Sequence, residues 1–452
     1  MAIVKQFAGN REEFSSVWLA EEYGLKTDSI FEVLDADTLA ARQIFYGSDF
    51  EYSGFFYDGF IKKMHFFGYS GKLASEWDGV NITVSTYRDA LTVGKNSDEL
   101  WQIILRKNDK MYGSAENDRL WGSAGSDFID GGAGSDLLTF QAYDGAVRVD
   151  LGRGRAVTDT GVSKVINIED VVGSRYGDTL IGNARANELQ GREGDDVLDG
   201  GGGTDTASYR GATDAVVVNL TRGTASGGAG DDTLIRIENV LGSRFADTLI
   251  GNGGRNLFDG GLGDDRIDGR DGFDTVTYAI APRAVTADLQ AGHATSGFGT
   301  DRLGSIEGVI GTAFNDKLLG NGVANALSGG AGNDVLNGRL GKDTLSGGGG
   351  SDTFVFTTKL SGGNIDRITD FSVREDAIQV DDAIFTALDA GRLKAAQFHT
   401  GSGAHDRDDR IVYNAKTGAL LYDADGSGGA VAQQFATLKA GLALTYADIV
   451  VI

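Results

Sequence analysis

The chain has 452 residues, no cysteine, one proline and a net charge of −24. That balance excludes disulfide staples and thiolate metal sites, and it sets the chain against nucleic acid and anionic membrane surfaces, both of which reward basic patches. Cations are the natural partners of so acidic a chain, and glycine at 69 residues, about twice its usual share of ~7%, demands a structural reason.

Residues 1–103 read as a small α+β capping domain. Arg11 to Leu25 has the spacing of an amphipathic helix with Phe14, Trp18 and Leu19 on one side. The aromatic-rich stretch from Ala41 to Val84 reads as antiparallel strands, and Ser97 is a suitable N-cap for a helix over Ser97 to Arg106. The aromatics suit either a carbohydrate-binding face or a core that covers the exposed edge of the repeats beginning at residue 104; covering is the expectation, because the end of a repeat stack needs protection.

From residue 104 a nine-residue unit, G-x-x-G-x-D-x-U-x with U apolar, recurs seventeen times. Units start at 104, 113, 122 and 131; at 173, 182, 191 and 200; at 242, 251, 260 and 269; and at 311, 320, 329, 338 and 347, so the block starts 104, 173, 242 and 311 lie 69 residues apart. Position six is Asp109, Asp118, Asp127, Asp136, Asp178, Asp196, Asp205, Asp247, Asp265, Asp274, Asp316, Asp334, Asp343 and Asp352, with Asn187, Asn256 and Asn325 in the other three units. These fourteen carboxylates are the candidate metal ligands. Glycine at positions one and four lets the backbone bend and turn its carbonyls inward. Carbonyls and carboxylates together are the donors a hard cation wants, about six to eight of them for Ca²⁺. Position eight is apolar throughout, which predicts a short strand over positions six to nine with one residue facing a core.

Two units would make one coil, so each site would lie between a turn and the next but one, with at most nine sites and the pairs Asp334/Asp352, Asp127/Asp109 and Asp196/Asp178 as the best. The 33-residue inserts between blocks open with Phe140, Tyr209 or Tyr278, alternate in their apolar residues, and end in an I-E-x-V element around Glu169, Glu238 or Glu307. They read as further coils without metal, and the glutamates as strand-end caps. The fold expected for 104–355 is therefore an all-β parallel β-roll solenoid. Its crowded carboxylates would repel without metal, which predicts a disordered metal-free state.

Residues 356–452 read as a β-rich terminal domain, with a hairpin around Lys416-Thr417-Gly418 and an apolar ending, Asp448 to Ile452. Asp423 to Ser427 begins like an EF-hand loop, but its twelfth position is Gln434 in place of the bidentate glutamate.

Taken together these motifs resemble the RTX, or hemolysin-type calcium-binding, family of bacterial secreted proteins. Asp352, Phe354, Phe356, Asp370 and Phe371 are similar to the terminal domain of the serralysin type. The resemblance implies several bound Ca²⁺ ions and export by a type I secretion apparatus that reads the carboxyl end. Folding would then occur in extracellular calcium. The amino terminus has no apolar signal-peptide core and no stretch is long and apolar enough to span a membrane, so a leaderless secreted protein is expected. Family members often carry an enzyme ahead of the repeats. Here there are four histidines and neither H-E-x-x-H nor a G-x-S-x-G elbow. The expectation is a non-enzymatic extracellular binding or surface module. The alternative is a polysaccharide-active enzyme within residues 1–103, with extracellular polysaccharide as the partner in either case.

Overall fold

The computed structural model describes residue 108 and residues 110–452, with the strands Ile30–Leu34, Ala41–Phe45, Phe60–Phe67 and Leu73–Thr83. The helices expected at 11–25 and 97–106 lie outside the described residues, as does Asp109. Among the described residues there is no α-helix, and none that could cross a membrane. The chain divides into two compact units, Met1–Thr213 with Gly223–Asn239, and Asp214–Arg222 with Val240–Ile452.

In the first unit each complete repeat contributes one three-residue strand whose middle residue is position eight. Arg119–Trp121, Phe128–Asp130 and Leu137–Thr139 bury Leu120, Ile129 and Leu138, while every flanking residue but the buried Thr139 stays partly exposed. Strands pair in parallel with the unit next but one, Leu120 opposite Leu138 and Met111 opposite Ile129. Two nonapeptides therefore make one coil, and odd and even units build separate sheets. Ahead of the repeats, Ile30–Leu34, Ala41–Phe45, Phe60–Phe67 and Leu73–Thr83 form an antiparallel sheet. Its last strand pairs with Lys110–Tyr112, setting Trp77 opposite Met111 and covering that edge of the first repeat strand.

The inserts depart from the expectation of plain coils. In the first, Arg148–Asp150, Arg155–Val157 and Val162–Ile166 form an antiparallel meander, because the chain reverses at Gly154, whose φ of 64° suits glycine. The outer strands rejoin the parallel ladder, Val149 beside Leu180 and Val165 beside Ile129, so the excursion leaves the stack in register. Asp170–Val172 then pairs in parallel with the repeat strands Leu137–Thr139 and Glu188–Gln190.

The second unit repeats this plan. Lys317–Leu319, Val335–Asn337 and Thr353–Phe356 run in parallel with Leu318, Leu336 and Phe354 fully buried, and its insert makes the same meander over Thr286–Asp288, His293–Thr295 and Thr300–Gly304. Beyond the repeats the ladder continues through Ala377–Val380 to Ile449–Val451, so the apolar ending is an ordered, buried strand. The expected hairpin is present, Ile411–Asn414 against Ala419–Tyr422, with Gly418 at φ 79°. Phe356, Phe385, Tyr422 and Phe435 pack edge to face beneath it, with centroids 5.0–5.1 Å apart.

Candidate metal centre

Every complete described repeat is a turn ending in a position-six acid or amide, and the structure sorts these turns into two kinds. In the first kind the acids are Asp136, Asp196, Asp205, Asp265, Asp274, Asp334, Asp343 and Asp352. Each accepts, on Oδ1, the backbone N–H of the position-six residue one coil earlier, at 2.6–2.9 Å. Each leaves Oδ2 buried and without a hydrogen-bond partner. A carboxylate oxygen in a dry site with nothing to accept from is costly, and eight at one repeat position require a common explanation.

The surroundings supply it. A Cβ at Gly329 would collide with Oδ2 of Asp334 and lie 2.6 Å from the carbonyl oxygen of Gly347 in the next coil. Gly191, Gly260, Gly338 and Gly347 likewise face Oδ2 of their own aspartate, Asp196, Asp265, Asp343 and Asp352. At block ends the carbonyls of Asn167, Arg236 and Ser305 take the place of the next-coil glycine carbonyl, against Gly131, Gly200 and Gly269. These three are non-glycine residues held at φ of 50–53°, the kind of strain of about 1–3 kcal/mol that a functional site retains. Carboxylate and carbonyl oxygens converge on space that only glycine leaves open, and that donor set fits a hard cation such as calcium.

The charges agree. Burial pushes Asp196 and Asp265 up to about 8, with Asp232 and Asp301 respectively adding like charge. Burial also raises Asp136, Asp205, Asp274, Asp334 and Asp343 to about 6, and Asp366, beside Asp343, to about 8. Acids that resist ionisation in the absence of a counter-charge are acids that a cation would stabilise.

The second kind of turn satisfies itself. Asp178, Asp247 and Asp316 accept the backbone N–H of Ser174, Ser243 and Thr312 at 2.5 Å and the hydroxyl of the same residue at 2.9–3.0 Å. Ser114 binds Asp118 in the same way, and the Ser123 hydroxyl reaches Asp127 at 3.2 Å. Asn187, Asn256 and Asn325 accept the N–H of Asn183, Asn252 and Asn321 at 2.7–2.9 Å. Of the favoured pairs, then, Asp334/Asp352 joins two acids with free oxygens, whereas Asp196/Asp178 joins one of each kind and Asp127 belongs to the self-satisfied kind.

Further acids complete the ladder. Asp232 and Asp301 accept the N–H of Asp196 and Asp265, 36 residues earlier, both at 3.0 Å. Asp232 closes a repeat-like stretch, Gly227 to Ile235 (GGAGDDTLI), so the signal was present but hidden by the changed spacing. Tyr278 donates its hydroxyl to Asp301 at 2.7 Å. Glu169, Glu238 and Glu307 accept the N–H of Asp136, Asp205 and Asp274 at 2.8–3.1 Å, the capping role expected of them. Past the repeats, Asp366 and Asp376 do the same for Asp343 and Asp352.

The family model for the RTX calcium-binding nonapeptide repeat matches four times, over residues 106–138, 172–207, 241–276 and 319–354. No curated protein matches the chain. Among solved structures, the extracellular lipase LipA from Serratia marcescens aligns over 72% of this chain and 45% of its own, at 16% identity and a TM-score of 0.17. These repeats bind calcium ions.

Proposed function

Because this chain is an RTX calcium-binding repeat protein, we propose that its repeats are a secreted, calcium-dependent folding device and that the whole acts as a non-enzymatic extracellular binding module. The observation that carries the reading is the set of eight buried position-six carboxylate oxygens without partners, each facing the first glycine of its own turn. Calcium, when bound, supplies the positive charge that lets those carboxylates stay ionised and close together. The chain's own residues do the rest. Position one leaves room, position six aims one oxygen at the backbone of the previous coil and one inward, and position eight anchors the short strand after the turn. One fully buried apolar side chain per turn, at position eight, is a thin core, so the ordering of each turn depends on contacts other than apolar burial.

Type I export fits this economy, since a chain that does not stack without calcium stays threadable where calcium is scarce. The antiparallel sheet ahead of the repeats serves as a cap in this reading. The test is incubation of the full chain, with calcium, on acidic and neutral polysaccharides, scored for binding and for turnover. Binding without turnover is expected. Turnover that disappears when residues 1–103 are removed would overturn the non-enzymatic part.

A further inference from the structure

The two kinds of turn differ at positions two and four, and only position two separates them without exception. In all eight turns with a free Oδ2, the second residue has positive φ: Gly132, Arg192, Gly201, Gly261, Arg270, Gly330, Arg339 and Gly348, at 67–105°. The fourth residue of each is a glycine, from Gly134 to Gly350, also at positive φ. In the self-satisfied turns the second residue is Ser, Thr or Asn and its φ is not positive; in seven of the eight its N–H points at the position-six side chain, and in the eighth the Ser123 hydroxyl does.

We propose that position two decides which repeats take a metal ion: Gly or Arg in the left-handed conformation leaves the position-six Oδ2 open to calcium, whereas Ser, Thr or Asn latches the turn with hydrogen bonds and makes it metal-independent. This rests on the calcium reading above and divides the described repeats into eight metal turns and eight latched ones.

A second observation comes from the acids themselves. Asn187, Asn256 and Asn325, the only position-six residues without charge, all sit in latched turns, whose amide oxygen accepts the N–H as a carboxylate would. None of the eight open turns has lost its charge. Where metal needs a carboxylate the carboxylate is there; where a hydrogen bond suffices, an amide is tolerated. Geometry agrees, since a backbone N–H aimed at the oxygen occupies the approach a cation would need. The latched turns also open the second, third and fourth blocks, at 173 and 182, 242 and 251, and 311 and 320. Past the repeats the same device recurs, with Ser372 donating its N–H to Asp376 at 2.7 Å.

The test counts calcium bound to the full chain by equilibrium dialysis and metal analysis. Asp334→Asn and Asp265→Asn should each lower the count by about one, because an amide is a weaker donor to a hard cation. Asp316→Asn and Asp247→Asn should leave it unchanged. Ser123→Gly, in a turn whose Gly125 already has φ of 116°, should raise it by about one, and Ser123→Ala should not, since alanine does not take positive φ cheaply. Circular dichroism at saturating calcium shows whether each variant folds. Equal losses from Asp316→Asn and Asp334→Asn would overturn the assignment even though calcium binds. A parent protein that binds no calcium would instead remove the reading beneath it.

Discussion

Asp334 accepts the backbone N–H of Asp316 on one carboxylate oxygen at 2.7 Å and holds the other buried with no partner. One side chain thus links successive coils through the backbone and presents a charge that the protein alone does not neutralise. The same geometry recurs at seven further acids, so each of these eight side chains links two coils and keeps one buried oxygen without a hydrogen-bond partner.

Filling that space with carbon should be as damaging as removing the acid. Gly329→Ala would put a methyl group against Asp334 Oδ2 and the Gly347 carbonyl, so calcium-dependent folding should shift to higher calcium. Gly322→Ala, where nothing lies within 4 Å of an added Cβ, should leave the midpoint in place. Calcium titrations followed by circular dichroism compare the two directly.

The buried acids set the sign of the pH dependence. In the metal-free fold Asp196, Asp265 and Asp366 rise to about 8 and Asp334 to about 6, from an ordinary value of 3.8. A carboxyl raised on folding contributes stability below its unfolded value and loses it as pH climbs through the folded one. Without calcium, stability should therefore fall progressively between about pH 4 and 8, and mild acid should partly restore structure. With calcium the order reverses, because the metal displaces those protons and binds more tightly as pH rises. Thermal melts in chelator across that range check the sign, and metal-free stability that increased with pH would contradict it.

The apolar column should be felt independently of metal. Leu336 is fully buried, and Leu336→Ala should cost about 2–5 kcal/mol through the cavity left in a stack with little other core. Calcium at saturation should mask part of that loss in a melting experiment, since binding to the folded state adds stability by mass action. Tyr278→Phe removes the 2.7 Å hydrogen bond to buried Asp301 and should cost about 1–3 kcal/mol, read from denaturant unfolding at fixed calcium.

The coil itself was legible in the sequence because its period is a physical one. Leu120, Leu138 and Leu336 recur at position eight, and a strand places alternate residues on one face. The hairpin at Gly418 was legible for a similar reason. What escaped was the difference between Asp334 and Asp316, which share a position and a residue type. It depends on whether the backbone four residues earlier is left-handed, and the sequence does carry the sign, Gly330 against Thr312. Arg192, Arg270 and Arg339 blur it, since arginine rarely takes positive φ and offers no local reason to expect it. The antiparallel meanders escaped because alternation in Val147, Val149 and Leu151 reveals a strand but not its direction.

Metal binding and folding of the repeats should be one event. Circular dichroism of the full chain during a calcium titration from chelator tests it most directly. A coil-like spectrum in chelator and a cooperative gain of β structure by about 10⁻³ M calcium are expected. A chelated sample with the full β spectrum and an undiminished melting enthalpy would contradict this.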